Sequence, residues 1–239
     1  MIDELWPGGP RFKECAGVLR LGADSVLLAH FAKNTGVKKR KRAVDLGCGS
    51  GIISILLAWD DPDLHIDGIE IQRRAAQLAV ENAELSGLSH RIRIIESDLR
   101  DHREFLHAGD YDFTVSNPPY YAKGGGKRAS GEELATARGE EHCTLADVCR
   151  AAGYLTRNGG SFFLIHRPER LVELFRVLAS SGFEPKRIRF VQHKASSPPS
   201  LVLVESRRNG RPALSAEPPL ILVNDDGSDT DEARAIYRL

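Results

Sequence analysis

The sequence has no long hydrophobic run and no CxxC cysteine pair. Its most apolar stretch, residues 51–59, is well short of the roughly 20 residues that a membrane helix needs. Its four cysteines therefore predict free thiols, with neither a zinc site nor a redox centre. The chain begins Met1-Ile-Asp-Glu, which is acidic where a signal peptide is basic. We therefore expect a soluble, cytoplasmic protein that binds no metal and no membrane.

Neither sign of charge dominates, with 33 basic and 33 acidic residues. From Glu217 onward there are six acids and two bases, which leaves 31 bases against 27 acids in residues 1–216. So small a positive excess is weak evidence for a nucleic-acid partner. Hydrophobic residues make up 41% and charged residues 28%, which excludes a disordered or collagen-like chain.

Apolar strand-like segments alternate with amphipathic segments, which predicts parallel βαβ units. Segments 187–192 and 201–205 have no helix between them and predict an antiparallel hairpin. We expect an α/β, Rossmann-like fold with a seven-stranded, mostly parallel sheet and a C-terminal antiparallel hairpin. An extension (1–42) with a helix at 22–34, capped by Asp24 or Ser25, precedes the core (43–210), and a tail (211–239) packs back on it. The other predicted strands are 43–46, 65–71, 91–95, 111–116 and 161–165, and the predicted helices are 51–59, 73–86, 145–154 and 169–180.

Three glycines follow the first core strand, in the segment Asp45-Leu-Gly-Cys-Gly-Ser-Gly51. Glycines at this place permit a tight turn and the close approach of a ligand to the backbone. Glu70 ends the second strand and is placed to accept hydrogen bonds from two ribose hydroxyls. Asp98 follows the third strand, where its carboxylate can receive an adenine amino group. The GxGxG spacing differs from the GxGxxG of dinucleotide sites, which favours S-adenosylmethionine over NAD.

The tetrapeptide Asn117-Pro118-Pro119-Tyr120 directly follows the fourth strand. The two prolines stiffen the turn and donate no backbone hydrogen bonds, so the carbonyl groups of Asn117 and Pro118 are free to accept. A planar NH2 group is a poor nucleophile, and two acceptors on its hydrogens favour a pyramidal nitrogen with an available lone pair. The Asn117 side-chain oxygen and the Pro118 carbonyl can supply them, and Tyr120 offers a stacking face. The motif predicts methyl transfer to a planar amine or amide.

DLGCGSG followed by NPPY resembles class I methyltransferases that modify amide or nucleobase nitrogens. Within that group the chain resembles the bacterial tRNA(Val) adenine-37 N6-methyltransferase family, and the likeness extends to segments 21–29, 68–72, 117–121, 166–171, 184–190, 218–223 and 235–237. The resemblance implies S-adenosylmethionine as methyl donor, S-adenosylhomocysteine as product and tRNA as partner. The departure is Ala23, where the family pattern has Thr.

On this basis Asn117, Pro118, Pro119 and Tyr120 are the catalytic candidates. The cofactor-binding candidates are Gly22, Asp24, Asp45, Gly47, Cys48, Gly49, Gly51, Glu70, Ile71, Asp98, Leu99 and Asn117. The hypothesised RNA phosphate contacts lie in a glycine-rich loop and are Lys123, Lys127, Arg128 and Arg138.

Other basic, acidic and histidine residues are interpreted as structural. The run at 38–42 precedes the first core strand, at the sheet edge opposite the active edge, and is interpreted as a solvated turn. His166 is interpreted as a hydrogen-bonded structural histidine, and residues 225–232 as a solvated loop.

Three alternative functions remain open. One is a protein glutamine N5-methyltransferase, although only 44 residues precede Asp45, too few for the helical domain of those enzymes. The second is another RNA or small-molecule amine N-methyltransferase, and the third a non-catalytic RNA-binding factor. The oligomeric state, monomer or weak dimer, is open as well.

Overall fold

Among the described residues the main sheet has nine strands rather than seven: the seven that the sequence predicts and two short ones near the C-terminus. The computed structural model describes residues 2–15, 22–33, 41–118 and 143–239. The seven long strands are β3 Arg42–Leu46, β4 His65–Glu70, β5 Ile92–Glu96, β6 Tyr111–Ser116, β7 Thr156–His166, β8 Phe183–Gln192 and β9 Pro199–Arg208. They lie in the order β8, β9, β7, β6, β3, β4, β5; β9 runs antiparallel to both β8 and β7, and the other neighbouring pairs are parallel.

Helices cover both faces of the sheet. Successive residues of β7 point to opposite faces: Phe162 and Leu164 join one hydrophobic cluster, whereas Phe163 and Ile165 join the other. All four side chains are fully buried, which explains why residues 162–165 of this strand are all apolar. The helices are α1 Ala23–Lys33, α2 Ile52–Asp60, α3 Arg73–Leu85, α4 Leu145–Leu155, α5 Leu171–Ser180 and α6 Asp231–Tyr237, with 3-10 turns at Leu99–Glu104 and Pro168–Arg170. None of these helices is long and apolar enough to cross a membrane.

Two local expectations need correction. Helix α1 begins at Ala23, so Asp24 and Ser25 lie inside its first turn and the N-cap prediction is wrong. The strand predicted at 161–165 begins earlier, since β7 starts at Thr156; an irregularity separates Thr156, which pairs with Tyr111, from Ser161, which pairs with Phe113.

Both ends of the chain add short strands that the sequence pattern did not indicate. Strand β1, Ile2–Glu4, pairs with β2, Arg11–Lys13, in a separate antiparallel hairpin. Near the other end, β10, Ser215–Ala216, and β11, Leu220–Ile221, each pair with β8. Two-residue strands carry no periodicity, so only their pairing reveals them.

A partly buried arginine connects this C-terminal segment to α1. The Arg187 guanidinium donates to Glu205 and Glu217, each at 3.0 Å, and to the Phe31 carbonyl at the end of α1, at 2.9 Å. It also lies 3.9 Å from the centre of the Phe31 ring. The position of α1 is therefore coupled to the sheet edge and to the residues that follow β9.

Candidate functional site

The glycine loop makes a left-handed turn between β3 and α2. Gly47, Gly49 and Gly51 have φ values of +74°, +55° and +84°, which residues with a Cβ rarely adopt. A Cβ at Gly47 or Gly49 would meet nothing within 4 Å, whereas a Cβ at Gly51 would lie 3.1 Å from the Ala79 Cβ on α3. The first two glycines thus leave an open backbone face, and the third lets two helices pack closely.

Glu70, at the end of β4, stabilises this loop by hydrogen bonds. Its carboxylate accepts hydrogen bonds from the Gly49 nitrogen at 2.9 Å and from the Gln72 nitrogen at 2.8 Å. Burial raises the pKa of Glu70, and the backbone donors oppose that rise. Behind the loop, a Cβ at Gly68 would lie 2.9 Å from the Cys48 sulfur, so the loop rests directly on β4.

Asp45 lies completely buried beneath the loop. Its Oδ2 accepts a hydrogen bond from the Ser54 hydroxyl at 2.8 Å, while its Oδ1 has no hydrogen-bond partner among the residues that the structure describes. Burial raises the pKa of Asp45 to about 7. A buried carboxylate with a spare oxygen, below an open glycine backbone, fits a cofactor that carries positive charge.

Asp98, just after the end of β5, already accepts hydrogen bonds from Arg100. Its carboxylate accepts from the Arg100 backbone nitrogen at 2.9 Å and from the Arg100 guanidinium, whose Nε lies 2.9 and 3.0 Å from the two oxygens. An adenine amino group would share this carboxylate with Arg100. Nearby, Ile71 is 49% exposed although apolar, and Leu99 is buried.

Asn117 directly follows strand β6 and lies beside the glycine loop. Asp45 pairs with Val115 in the parallel register of β3 and β6. Asn117, two residues after Val115, therefore lies level with the start of the glycine loop, two residues after Asp45. The Ser116 hydroxyl donates to the Leu46 carbonyl at 2.8 Å and joins the two strand ends. The Asn117 side-chain nitrogen donates to the Ser25 hydroxyl of α1 at 3.3 Å.

Ser25 is the residue whose part in this site the sequence did not reveal. It contacts Asn117 across 92 positions of the chain, and only its place near a helix start was visible locally. Gly22 precedes α1 and accepts from the Ser25 nitrogen at 3.1 Å, and Asp24 lies in the first helical turn. The remaining candidates fall outside the described residues and are Pro119, Tyr120, Lys123, Lys127, Arg128 and Arg138.

His166 is hydrogen-bonded as expected, whereas residues 231–232 belong to helix α6 and not to a solvated loop. Of the basic run at 38–42, residues 38–40 lie outside the described residues and Arg42 is the first residue of β3. His166 is fully buried and its Nδ1 accepts from the Arg167 nitrogen at 2.9 Å; burial lowers its pKa to about 4, so the ring is neutral. Arg42, at the start of β3, is 3.2 Å from Asp110, at the opposite sheet edge from the glycine loop. No cluster of three or more potential metal ligands occurs within residues 2–15, 22–33, 41–118 and 143–239.

Comparisons with known proteins agree with this arrangement. The methyltransferase small domain family matches residues 20–168. The tRNA1(Val) (adenine(37)-N6)-methyltransferase of Yersinia pseudotuberculosis serotype O:3 is 34% identical over 184 residues, covering 74% of this chain and 70% of that protein. The enzyme of the same name from Yersinia pestis (strain Pestoides F) is also 34% identical over 184 residues, covering 74% of this chain and 71% of its own.

Two solved structures share the fold. A predicted O-methyltransferase from Agrobacterium tumefaciens, protein Atu636, superposes with a TM-score of 0.73 at 20% identity, covering 90% of this chain and 95% of that one. TrmN from Thermus thermophilus superposes with a TM-score of 0.56 at 23% identity, covering 77% of this chain and 48% of that one. The family match spans most of the chain and includes both the glycine loop and Asn117. The chain belongs to the methyltransferase small domain family.

Proposed function

We propose that this protein transfers a methyl group from S-adenosylmethionine to the exocyclic N6 of an adenine in tRNA, at position 37 of tRNA(Val). The observation that carries the proposal is the position of the Asn117 amide, beside the open backbone of the glycine loop. The names of the Yersinia relatives support the choice of tRNA and of adenine N6. S-adenosylhomocysteine is the expected product.

The cofactor would lie along the carboxyl edge of β3, β4 and β5, where ligands bind in folds of this kind. When bound, it supplies an electrophilic methyl group on a positively charged sulfur. Asp45 would provide negative charge below it, and the backbone of Gly47 and Gly49 would permit its close approach. The other residues assigned to this site are Gly22, Asp24, Cys48, Gly51, Glu70, Ile71, Asp98 and Leu99.

The target amine would be handled by Asn117 and by the residues that follow it. The adenine N6 lone pair is delocalised into the ring, so the amine must be pyramidalised before it can attack. The Asn117 Oδ1 and the Pro118 carbonyl would accept its two hydrogens, with Pro119 stiffening the turn and Tyr120 stacking on the base. This chemistry depends on positioning and needs no strong general base.

The proposed RNA partner is compatible with a small enzyme. An adenine in an anticodon loop is already partly unpaired, so its extrusion costs less than extrusion from a duplex. We propose that Lys123, Lys127, Arg128 and Arg138 contact RNA phosphates, and that the enzyme acts in the cytoplasm.

Tritiated methyl transfer onto unmodified tRNA, with a release factor assayed in parallel, tests the proposal. We expect N6-methyladenosine in the anticodon loop of tRNA(Val). Because Asn117→Ala removes one of the two acceptors, we expect it to lower the rate by about a hundredfold while cofactor binding by calorimetry is retained. Label on a glutamine of the release factor, with none on tRNA, would refute the assignment of tRNA adenine.

A further inference from the structure

We propose that Ser25 is a positioning residue, whose hydroxyl holds the Asn117 amide with its oxygen turned toward the target amine. This inference rests on the proposed function, because it gives a role to the orientation of the amide that would contact the substrate. The observation behind it is the hydrogen bond from the Asn117 Nδ2 to the Ser25 Oγ, at 3.3 Å.

Ser25 is buried and belongs to a firmly anchored helix. It is 8% exposed, and on the same helix Leu27 and Leu28 are almost completely buried. At the far end of the helix, the Phe31 carbonyl accepts from Arg187 at 2.9 Å. The Phe31 ring also packs edge-on against Phe163 of β7, with 6.4 Å between ring centres. The hydroxyl is therefore presented by a rigid element, which favours a defined orientation of its partner.

An asparagine amide needs such a partner because its two ends have similar shapes and opposite chemistry. The oxygen accepts hydrogen bonds and the NH2 group donates them, so a half-turn of the amide exchanges an acceptor for a donor. Turned the wrong way, Asn117 would direct its own NH2 toward the NH2 of the substrate. In the structure the Asn117 Nδ2 faces the Ser25 hydroxyl, so the Oδ1 lies at the other end of the amide, and this hydrogen bond holds the amide in place.

Removing the hydroxyl should lower turnover without weakening binding. In Ser25→Ala the amide loses the hydrogen-bond partner that holds it, so it moves more freely and spends less time in the productive position. We expect kcat to fall about three- to tenfold, the effect of losing one neutral hydrogen bond. The dissociation constants for S-adenosylmethionine and tRNA should stay within twofold, and Ser25→Thr, which keeps the hydroxyl, should recover most of kcat.

Removal of the Asn117 amide gives the decisive comparison, because a residue that acts only through this amide then has nothing to position. We would measure single-turnover methylation of tRNA for wild type, Ser25→Ala, Asn117→Ala and the double variant. Ser25→Ala should be costly with Asn117 present and nearly silent in the Asn117→Ala background. The matched control is Ser206→Ala, which removes a buried hydroxyl that donates to the Phe162 carbonyl at 3.4 Å. Ser206 lies on β9, two strands away from β6, so this variant should leave kcat unchanged. An equal loss in both backgrounds would overturn the inference.

A second measurement needs no substrate and separates this inference from the proposed function. In the cofactor-free protein, NMR exchange of the Asn117 side-chain amide protons should be several-fold faster in Ser25→Ala than in wild type. Wild-type protein that fails to methylate tRNA would refute the function, yet slow exchange that depends on Ser25 would still support the orienting contact. Equal exchange rates in the two proteins would refute the contact whatever the substrate is.

Discussion

Three glycines with left-handed backbone conformations allow the costs of strain, packing and ligand approach to be measured separately. Gly47, Gly51 and Gly87 have φ values of +74°, +84° and +70°. Alanine at any of them would suffer the left-handed penalty, about 1–2 kcal/mol. At Gly87, which follows α3, a Cβ would meet nothing within 4 Å, so Gly87→Ala measures that penalty by itself.

Gly51→Ala should be the most destabilising of the three variants. Its Cβ would lie 3.1 Å from the Ala79 Cβ and 3.3 Å from the Ala79 Cα. Because the backbone of α3 cannot move aside easily, overpacking adds about 1–3 kcal/mol to the strain. We therefore expect Gly51→Ala to lower the free energy of unfolding by about 2–5 kcal/mol, against about 1–2 kcal/mol for Gly87→Ala.

Gly47→Ala should instead separate stability from cofactor binding. A Cβ there meets nothing in the protein, so its stability should match that of Gly87→Ala. The same methyl group would project from the loop face assigned to the cofactor, so S-adenosylmethionine affinity should fall while Gly87→Ala binds normally. Urea unfolding gives the stabilities and calorimetry the affinities. If Gly51→Ala cost no more than Gly87→Ala, or Gly47→Ala bound normally, this reasoning about the loop would be refuted.

Two further predictions concern buried charge. Because burial raises the pKa of Asp45 to about 7, the folded state keeps a proton that the unfolded chain loses near pH 4. The free energy of unfolding of the cofactor-free protein should therefore fall by up to about 4 kcal/mol as the pH rises from 4 to 7. Urea unfolding of Asp45→Asn should lack this part of the pH dependence. Arg187→Met should lower the free energy of unfolding in urea by about 3 kcal/mol, because it leaves the buried Glu205 poorly paired. Arg93, whose side chain is 60% exposed beside Asp67, is the control, and Arg93→Met should lower it by at most about 1 kcal/mol. Similar losses in the two variants would contradict the importance of burial.

The order of strands and helices was readable from the sequence because each element carries its own period. Strand β6 lies at Tyr111–Ser116, the bounds that its apolar pattern predicts. The glycine loop was equally local: left-handed turns select glycine whatever surrounds them, and Gly47, Gly49 and Gly51 all have positive φ. Helix bounds were less certain, since α1 begins at Ala23 and places both proposed caps inside the helix.

Tertiary packing decided the contacts between distant segments. No local pattern shows that Ser25 meets Asn117 or that Arg187 reaches the end of α1. The two-residue strands β10 and β11 are likewise defined only by their pairing with β8. The sequence by itself determined the fold class and the residue types of the site, because periodicity, turn chemistry and motif spacing act over a few residues. The orientation of those residues depends on how helices and strands pack, which is a property of the whole chain.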